Sequence, residues 1–271
     1  RGAVKGADAD AVLLGEVWED ASNKIAYGKL RSYCLGDTLD SVMNYPLRDA
    51  LIAFLMAQKD AAAVAKELSS LAQNYPKPFL YALMNLMGSH DRPRILNVLA
   101  GNDGSDIPRS QRADHRLSRE ERMIGALREQ LMLRFMFSVP GMPCIYYGDE
   151  AGMEGYRDPF NRACYPWGHE DEDLIAWYRY LGLLRQEHGD ILKDGGLRSV
   201  YAHDNVLSFE RYVETEGGEN ALFVAVNRSM ENAVIPGLHL DNAEFIFGAP
   251  YPNPAGGDFK LPPFGFALLR I

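Results

Sequence analysis

Four short apolar runs, none of which alternates between apolar and polar residues, constrain the fold of this chain most. They are AVLLGEV (11–17), LDSVMNY (39–45), LYALMNLM (80–87) and MPCIYYG (142–148). Strands that are covered on both faces have this composition, as in parallel sheets flanked by helices. Helical patterns separate or follow these runs, at 46–56, 61–72, 117–138 and 172–188. Strands that alternate with helices predict βα units and a parallel sheet.

Beyond residue 189 the pattern changes to short β runs that are broken by Pro and Gly. Two such runs flank His203, Asp204 and Asn205, a sequence that is typical of a hairpin turn. We therefore expect a larger α/β domain at 1–189 and a small antiparallel β domain at 190–271. Four strands suffice for an open, doubly wound sheet, whereas a closed (β/α)8 barrel needs eight. The strand count alone does not choose between these architectures.

Composition and charge argue against several classes of function. The net charge of −9 is unlike the basic footprint of a nucleic-acid binder, so we expect no nucleic-acid partner. No apolar run approaches the roughly 20 residues needed to span a bilayer, so we expect no membrane span. The well-separated Cys34, Cys144 and Cys164 predict buried free thiols rather than disulfides. The start at Arg1, with no signal-peptide pattern, predicts a piece of a longer protein, whose compartment is unknown, with the cytoplasm favoured.

Polar or aromatic residues follow each apolar run at its carboxyl end. They are Glu16 and Trp18, Asn44 and Tyr45, His90 and Asp91, and Asp149 and Glu150. In parallel α/β folds, the carboxyl ends of the strands carry binding and catalysis. Acids, a His and aromatic rings that converge there predict a sugar-binding cleft, in which two carboxylates cleave the glycosidic bond. Plainer explanations stay open: strand-end acids cap helices, aromatic rings form core rims, and a His-Asp turn can pair with Arg92 or Arg94.

Four segments carry a family resemblance when they are taken in order. They are GEVWED, DSVMNYPLRDAL, NLMGSHDRPRIL and GMPCIYYGDEAGMEGYRDPFNRACYPWG. They resemble the later conserved segments of the α-amylase superfamily of glycoside hydrolases, and most of all its neopullulanase, cyclomaltodextrinase and amylopullulanase members. The resemblance spans about residues 12–187. It implies strands five to eight of a (β/α)8 TIM barrel, followed by a small antiparallel β-sandwich domain.

The same resemblance implies an enzyme that cleaves α-1,4 bonds, with α-1,6 bonds left open, in starch-, pullulan- or cyclodextrin-type glucans. By it, Glu16 is the general acid/base and Asp91 is the transition-state stabiliser. An acid in this role needs a raised pKa, so we expect its strand to bury the Glu16 carboxyl partly. The other residues expected to bind the sugar are Trp18, His90, Asn44 and Tyr45. We expect no cofactor and no metal here, because nothing in the sequence has the spacing of a dedicated calcium loop, although calcium stays open for the full-length protein because some relatives bind it.

The resemblance also implies a residue that the sequence lacks. The family nucleophile is the Asp of an Arg-x-Asp that follows strand four, and residues 1–11 contain no such motif. Without a nucleophile no glycosyl-enzyme intermediate can form, so we predict that this polypeptide alone is inactive although its parent is an enzyme. Half a barrel also leaves sheet edges and an apolar face open, which predicts self-association.

Other interpretations differ from this one in class. A superfamily member without catalysis would act as a partner or scaffold subunit, which the retention of Glu16, His90 and Asp91 disfavours. An unrelated, doubly wound α/β protein has no reason to carry four such motifs in order. Within the enzyme class, hydrolysis and transglycosylation are not distinguished, because water and a sugar hydroxyl compete for the same intermediate.

Overall fold

The computed structural model describes residues 1–238, 240, 243–248 and 257–271. The described strands are β1 (Leu14–Gly15), β2 (Ile25–Ala26), β3 (Lys29–Leu30), β4 (Ser41–Val42), β5 (Met84–Leu86), β6 (Met142–Cys144), β7 (Gly196–His203), β8 (Val206–Thr215), β9 (Gly218–Asn227), β10 (Ala233–Ile235), β11 (Glu244–Gly248), β12 (Phe259–Leu261) and β13 (Phe266–Arg270). The helices are α1 (Gly2–Ala7), α2 (Tyr45–Leu55), α3 (Ala61–Asn74), α4 (Lys77–Ala82), α5 (Ile95–Ala100), α6 (Arg119–Ser138), α7 (Glu172–Glu187) and α8 (Gly189–Leu192). Among the described residues, no helix combines the length and the apolar character that crossing a bilayer requires.

The four apolar runs form strands that pair in parallel. Strand β1 pairs with β4, and β5 pairs with β6, while a parallel bridge from Met43 to Met84 joins the two pairs. The strands therefore lie side by side in chain order, and their carboxyl ends share one edge. They are shorter than the sequence predicts, and residues 80–82 belong to α4 instead. Pro78 explains this difference, because its ring favours the first turn of a helix.

The four predicted helices are all present as α2, α3, α6 and α7. Each begins at a side chain that accepts a hydrogen bond from a backbone N–H in the first turn, and these residues are Asn44, Asp60, Ser118 and Asp171. Such caps satisfy donors that the helix itself leaves without a partner. Helix α2 packs against β5, and α6 packs against β6, so the helices cover the strands as the non-alternating pattern predicts.

The chain after α8 forms a five-stranded antiparallel sheet in the order β11–β13–β9–β8–β7. The predicted hairpin joins β7 to β8, and its turn contains Asp204, with φ at 47°, and Asn205. Strands β10 and β12 form a separate antiparallel pair. Ile235 and Phe259 of this pair pack with Phe223 of β9, so the pair covers one face of the larger sheet.

One apolar core extends from the helices into the antiparallel sheet. The rings of Phe135 on α6 and Phe209 on β8 meet edge to face, with centroids 5.3 Å apart. Arg211 of β8 is buried, and its guanidinium donates hydrogen bonds to the carbonyl of Ser138 at 2.8 Å and that of Gly195 at 2.9 Å. The predicted domain boundary near residue 190 stays a prediction, because both parts share this core.

The three cysteines are free, but they are not all buried. Cys34 is buried, Cys144 of β6 is half-buried, and Cys164 is exposed in the connection from β6 to α7. The prediction of three buried thiols is therefore wrong for Cys164. Aromatic neighbours in the sequence, here Tyr165, do not bury a residue that lies in a surface loop.

Candidate active site

Glu16, His90 and Asp91 lie together at the carboxyl ends of the parallel strands. Each offers one oxygen or nitrogen atom, and these three atoms all lie within 4.8 Å of one another. Glu16 directly follows β1, and His90 and Asp91 belong to the loop after β5, which we call the 88–92 loop. Because only β4 separates β1 from β5, the two segments end beside each other. The structure thus brings Glu16 together with two residues, His90 and Asp91, that lie more than 70 positions later in the sequence.

The Glu16 carboxylate is exposed, and its Oε1 accepts a hydrogen bond from Trp18 Nε1 at 3.1 Å. The expectation that its strand buries this carboxyl is therefore wrong for this chain. The reason is the shortness of β1, which has two residues, of which Leu14 is itself 45% exposed. Orientation of Glu16 comes from the indole N–H rather than from an apolar surround.

Trp18 is held against Tyr45 and Arg92. Its ring stacks on that of Tyr45 with centroids 4.7 Å apart and planes inclined by 22°. The Arg92 guanidinium lies 4.1 Å from the centroid of the Trp18 ring and 5.3 Å from that of Tyr45, in cation–π contact. The Tyr45 hydroxyl donates a hydrogen bond to Ser89 Oγ at 3.1 Å. These contacts tie the Glu16 segment to the 88–92 loop.

Asn44 and Tyr45 were predicted to bind the sugar at the cleft surface, but both side chains are buried. Asn44 accepts a hydrogen bond from the backbone of Leu47 at the start of α2 and donates one to Asn85 Oδ1 at 2.8 Å. Tyr45 is 0% exposed beneath Trp18. In this structure Asn44 organises the strand ends and Tyr45 supports Trp18, and neither presents a surface to a sugar.

A basic side chain lies at each carboxylate oxygen of Asp91. Oδ2 is 3.4 Å from His90 Nε2, and Oδ1 is 3.4 Å from Arg162 Nη2. The Asp91 backbone N–H donates to Ser89 Oγ at 3.3 Å, which closes the turn. The ion pair suggested by the sequence, to Arg92 or Arg94, is absent among the described contacts of Asp91, since Arg162 occupies that position.

A buried ion pair supports the 88–92 loop from below. Arg94 Nη1 lies 3.1 Å from Asp149 Oδ1, and both side chains are buried. Burial raises the pKa of Asp149 to about 7, against the opposing effect of the Arg94 charge. Glu150 accepts a hydrogen bond from the Gly148 N–H at 2.8 Å. Asp149 and Glu150 therefore have structural roles, which is the plainer of the explanations that the sequence leaves open for strand-end acids.

Sequence reasoning missed Arg92, Asn161 and Arg162 as residues of the site. Asn161 donates to the carbonyl of His90, which lies 71 positions earlier in the chain. The RDPFNR stretch that holds Asn161 and Arg162 is part of a segment that carries the family resemblance. That membership was the available signal, but no spacing in the sequence shows which loop the stretch contacts.

Glu16, His90 and Asp91 are also the one group, within the part of the chain that the structure describes, whose donor atoms could converge on a cation. Two carboxylate oxygens and an imidazole nitrogen suit zinc or a similar ion. All three side chains are exposed, and Trp18 and Arg162 already engage the two carboxylates. This arrangement assigns no resident metal.

A known family of protein domains accounts for this fold. The family model described as the alpha-amylase catalytic domain matches residues 1–190, and the chain belongs to this family. The chain is 37% identical over 224 residues to an amylopullulanase from Thermoanaerobacter thermohydrosulfuricus. This match covers 79% of the chain and 14% of that protein. The chain is also 33% identical over 282 positions to a cyclomaltodextrinase from Geobacillus thermopakistaniensis. That match covers 100% of the chain and 42% of that protein.

A solved structure shows the same fold. The ligand-free cyclic α-maltosyl-(1→6)-maltose hydrolase from Arthrobacter globiformis matches with a TM-score of 0.72 at 27% identity, over 100% of this chain and 52% of that chain. The chain thus spans less than half the length of the two relatives above and about half of this structure. The resemblance drawn from the four ordered segments is confirmed. These relatives are named as hydrolases, so they give no support to a scaffold protein.

Proposed function

We propose that this chain is the acid/base-bearing part of a retaining α-glucan hydrolase that cleaves α-1,4 and, as an open alternative, α-1,6 bonds. One observation carries the proposal: the functional atoms of Glu16, His90 and Asp91 lie within 4.8 Å at the carboxyl ends of parallel strands. The relatives support the substrate class, because their names refer to amylopullulanase, cyclomaltodextrinase and a cyclic maltosyl-maltose hydrolase.

The architecture that we propose is the second half of a (β/α)8 barrel. Strands β1, β4, β5 and β6 lie in parallel in chain order, which supports their equivalence to strands five to eight. The sheet of five strands and the pair β10–β12 support a β-sandwich domain from about residue 190. Strands one to four would then correspond to the half of the solved relative that this chain does not span.

Glu16 would protonate the glycosidic oxygen and later, as a carboxylate, take a proton from the attacking water. Trp18 engages Oε1, which orients the carboxyl and leaves Oε2 for proton transfer. Asp91 would accept hydrogen bonds from sugar hydroxyls and stabilise the positive charge of the oxocarbenium-like state. His90, beside Asp91 Oδ2, would hydrogen-bond the same sugar.

The nucleophile belongs, in this proposal, to the part of the enzyme outside this chain. A retaining enzyme needs a carboxylate about 5 to 5.5 Å from the acid. Within the described residues, Glu16 and Asp91 are the two carboxylates of the cluster, and both have other roles here. The 271-residue polypeptide would therefore not turn glucans over.

Assays on the full-length source protein and on the 271-residue chain test the proposal. With cyclodextrin, pullulan and a nitrophenyl maltoside, the full-length protein should release reducing sugar and the chain should release none. Glu16→Gln in the full-length protein should lower kcat by about 10²- to 10⁴-fold, because it removes general acid catalysis. Glu19→Gln is the matched control, because Glu19 lies in the same loop but pairs with Lys24 at 2.6 Å. Full activity in Glu16→Gln, or turnover by the pure chain, would overturn the proposal.

A further inference from the structure

Asn161 ties down the backbone on both sides of Asp91. Its side chain is 0% exposed, and its Nδ2 lies 2.7 Å from the carbonyl oxygens of both His90 and Arg92. The same nitrogen is 3.3 Å from the carbonyl oxygen of Ser89. One buried amide thus engages three carbonyls of the 88–92 loop, so the position of the Asp91 backbone depends on it.

Arg162, the next residue, acts on the side chain of Asp91. Its Nη2 is 3.4 Å from Asp91 Oδ1, while its Nε forms an ion pair with Asp158 Oδ1 at 2.6 Å. Asp158 thereby fixes the guanidinium in one orientation. A guanidinium carries only hydrogen-bond donors in a fixed planar arrangement, so its contact with a carboxylate oxygen is directional.

We propose that Asn161 and Arg162 are positioning residues for Asp91: Asn161 fixes the loop backbone, and Arg162 orients the carboxylate through Oδ1. This inference rests on the proposed role of Asp91 as the transition-state stabiliser. Contact at Oδ1 leaves Oδ2, on the His90 side, to accept a hydrogen bond from the sugar in this proposal. A displacement of about 1 Å in a catalytic group costs about 10²-fold in rate, which is why a loop of this kind needs such a restraint.

The contact is not explained by stability alone. The side chains of Arg162, Asp91 and Asp158 are 44%, 39% and 56% exposed, and ion pairs of that exposure contribute little to folding. Substitution of Arg162 therefore leaves the fold in place, which makes it the cleaner probe. Asn161 is buried, so its variant is read by a local measurement on the folded chain.

Hydrogen exchange on the 271-residue chain tests the restraint without any need for activity. Asn161→Ala should speed exchange of the amides at 89–92 about tenfold, because the three carbonyl contacts are lost. Asn74→Ala is the matched control, since Asn74 bonds Asp20 at 2.7 Å. It should leave the exchange of these amides unchanged. Unchanged exchange in Asn161→Ala would overturn the part assigned to Asn161.

Kinetics on the full-length enzyme test the orientation of the carboxylate. Arg162→Ala should lower kcat by about 10- to 100-fold with a smaller change in KM. Guanidinium ion in solution should restore part of this loss, and Arg162→Lys should retain part of the rate. Arg179→Ala, at an exposed arginine of α7, should neither lose activity nor respond to guanidinium.

The outcomes separate this inference from the proposed function. If unsubstituted full-length protein is inactive on every glucan, the proposed function fails, and the exchange rates alone decide whether these residues restrain the loop. If the enzyme is active but Arg162→Ala keeps full kcat, the part assigned to Arg162 is overturned. A loss that neither guanidinium nor lysine relieves would also overturn it, because that loss would reflect packing rather than the oriented charge.

Discussion

At the scale of single residues, Gly88 joins the candidate site to the core beneath it. A Cβ at this position would lie 2.1 Å from Oδ2 of Asp149, whose carboxylate pairs with Arg94. Gly88→Ala must therefore displace the loop or the ion pair, and we expect a loss of about 1–3 kcal/mol in the free energy of unfolding. Urea unfolding of the chain, followed by circular dichroism, measures this change.

Gly182 provides the matched control for that substitution. It lies inside α7, where an added Cβ meets nothing within 4 Å. Gly182→Ala should raise the free energy of unfolding by about 0.5–1 kcal/mol, because alanine restricts the unfolded chain and favours helix. If both alanine variants change stability in the same direction, the packing of Asp149 against Gly88 is not the cause.

Single residues also show where sequence reasoning ends. Glu16 and Asp91 could be singled out because each follows an apolar run, and the carboxyl ends of parallel strands share an edge. The burial of Tyr45 could not, since it depends on Trp18, which stacks on it from another strand end. Asn161 could not either, because its partners are carbonyl oxygens, which every residue carries.

At the scale of elements, the start of α6 is determined by adjacent residues. Ser118 Oγ accepts from the Glu121 N–H at 3.2 Å, and Glu121 Oε2 accepts from the Ser118 N–H at 2.7 Å. Ser118→Ala should therefore lower the free energy of unfolding by about 1 kcal/mol. Ser69→Ala, at an exposed position inside α3, should change it by a few tenths at most. Thermal unfolding compares the two.

The same capping box predicts a dependence on pH. The hydrogen bond from the Ser118 N–H lowers the pKa of Glu121 below its ordinary value of 4.5. Its contribution to stability is therefore complete above pH 4.5 and is lost as the pH falls through the lowered value. Glu121→Ala removes this carboxylate, so we expect its destabilising effect to shrink at acidic pH. A constant effect in unfolding measured from pH 7 to pH 3 would contradict this.

Element boundaries follow contacts that the sequence does not display. Strands β1 and β4 have two residues each, although their apolar runs have seven. Backbone pairing between two strands stops where either of them ends, and the sequence does not display that point. The hairpin β2–β3 was not predicted. Its turn contains Tyr27 and Gly28, with φ at 54° and 71°, and a tyrosine is a weaker signal for such a turn than asparagine.

At the scale of the whole molecule, the parallel strands form an array with two outer members. Among the described residues, β1 pairs with β4 alone and β6 pairs with β5 alone. Apolar side chains are exposed on these outer strands, with Leu14 at 45% and Met142 at 50%. The family resemblance, which implies four of the eight barrel strands in this chain, was enough to expect such open edges. What covers them depends on chains or segments that the sequence alone does not name.

We predict that the isolated 271-residue chain self-associates at micromolar concentration through these edges. Met142→Lys places a charge on an outer strand, where desolvation on pairing is costly, and should shift the chain toward a monomer. Leu183→Lys is the matched control, because Leu183 is 65% exposed and belongs to α7 rather than to an outer strand. Sedimentation velocity distinguishes the outcomes. A monomeric unsubstituted chain, or an equal shift in both lysine variants, would show that the strand edges do not drive association.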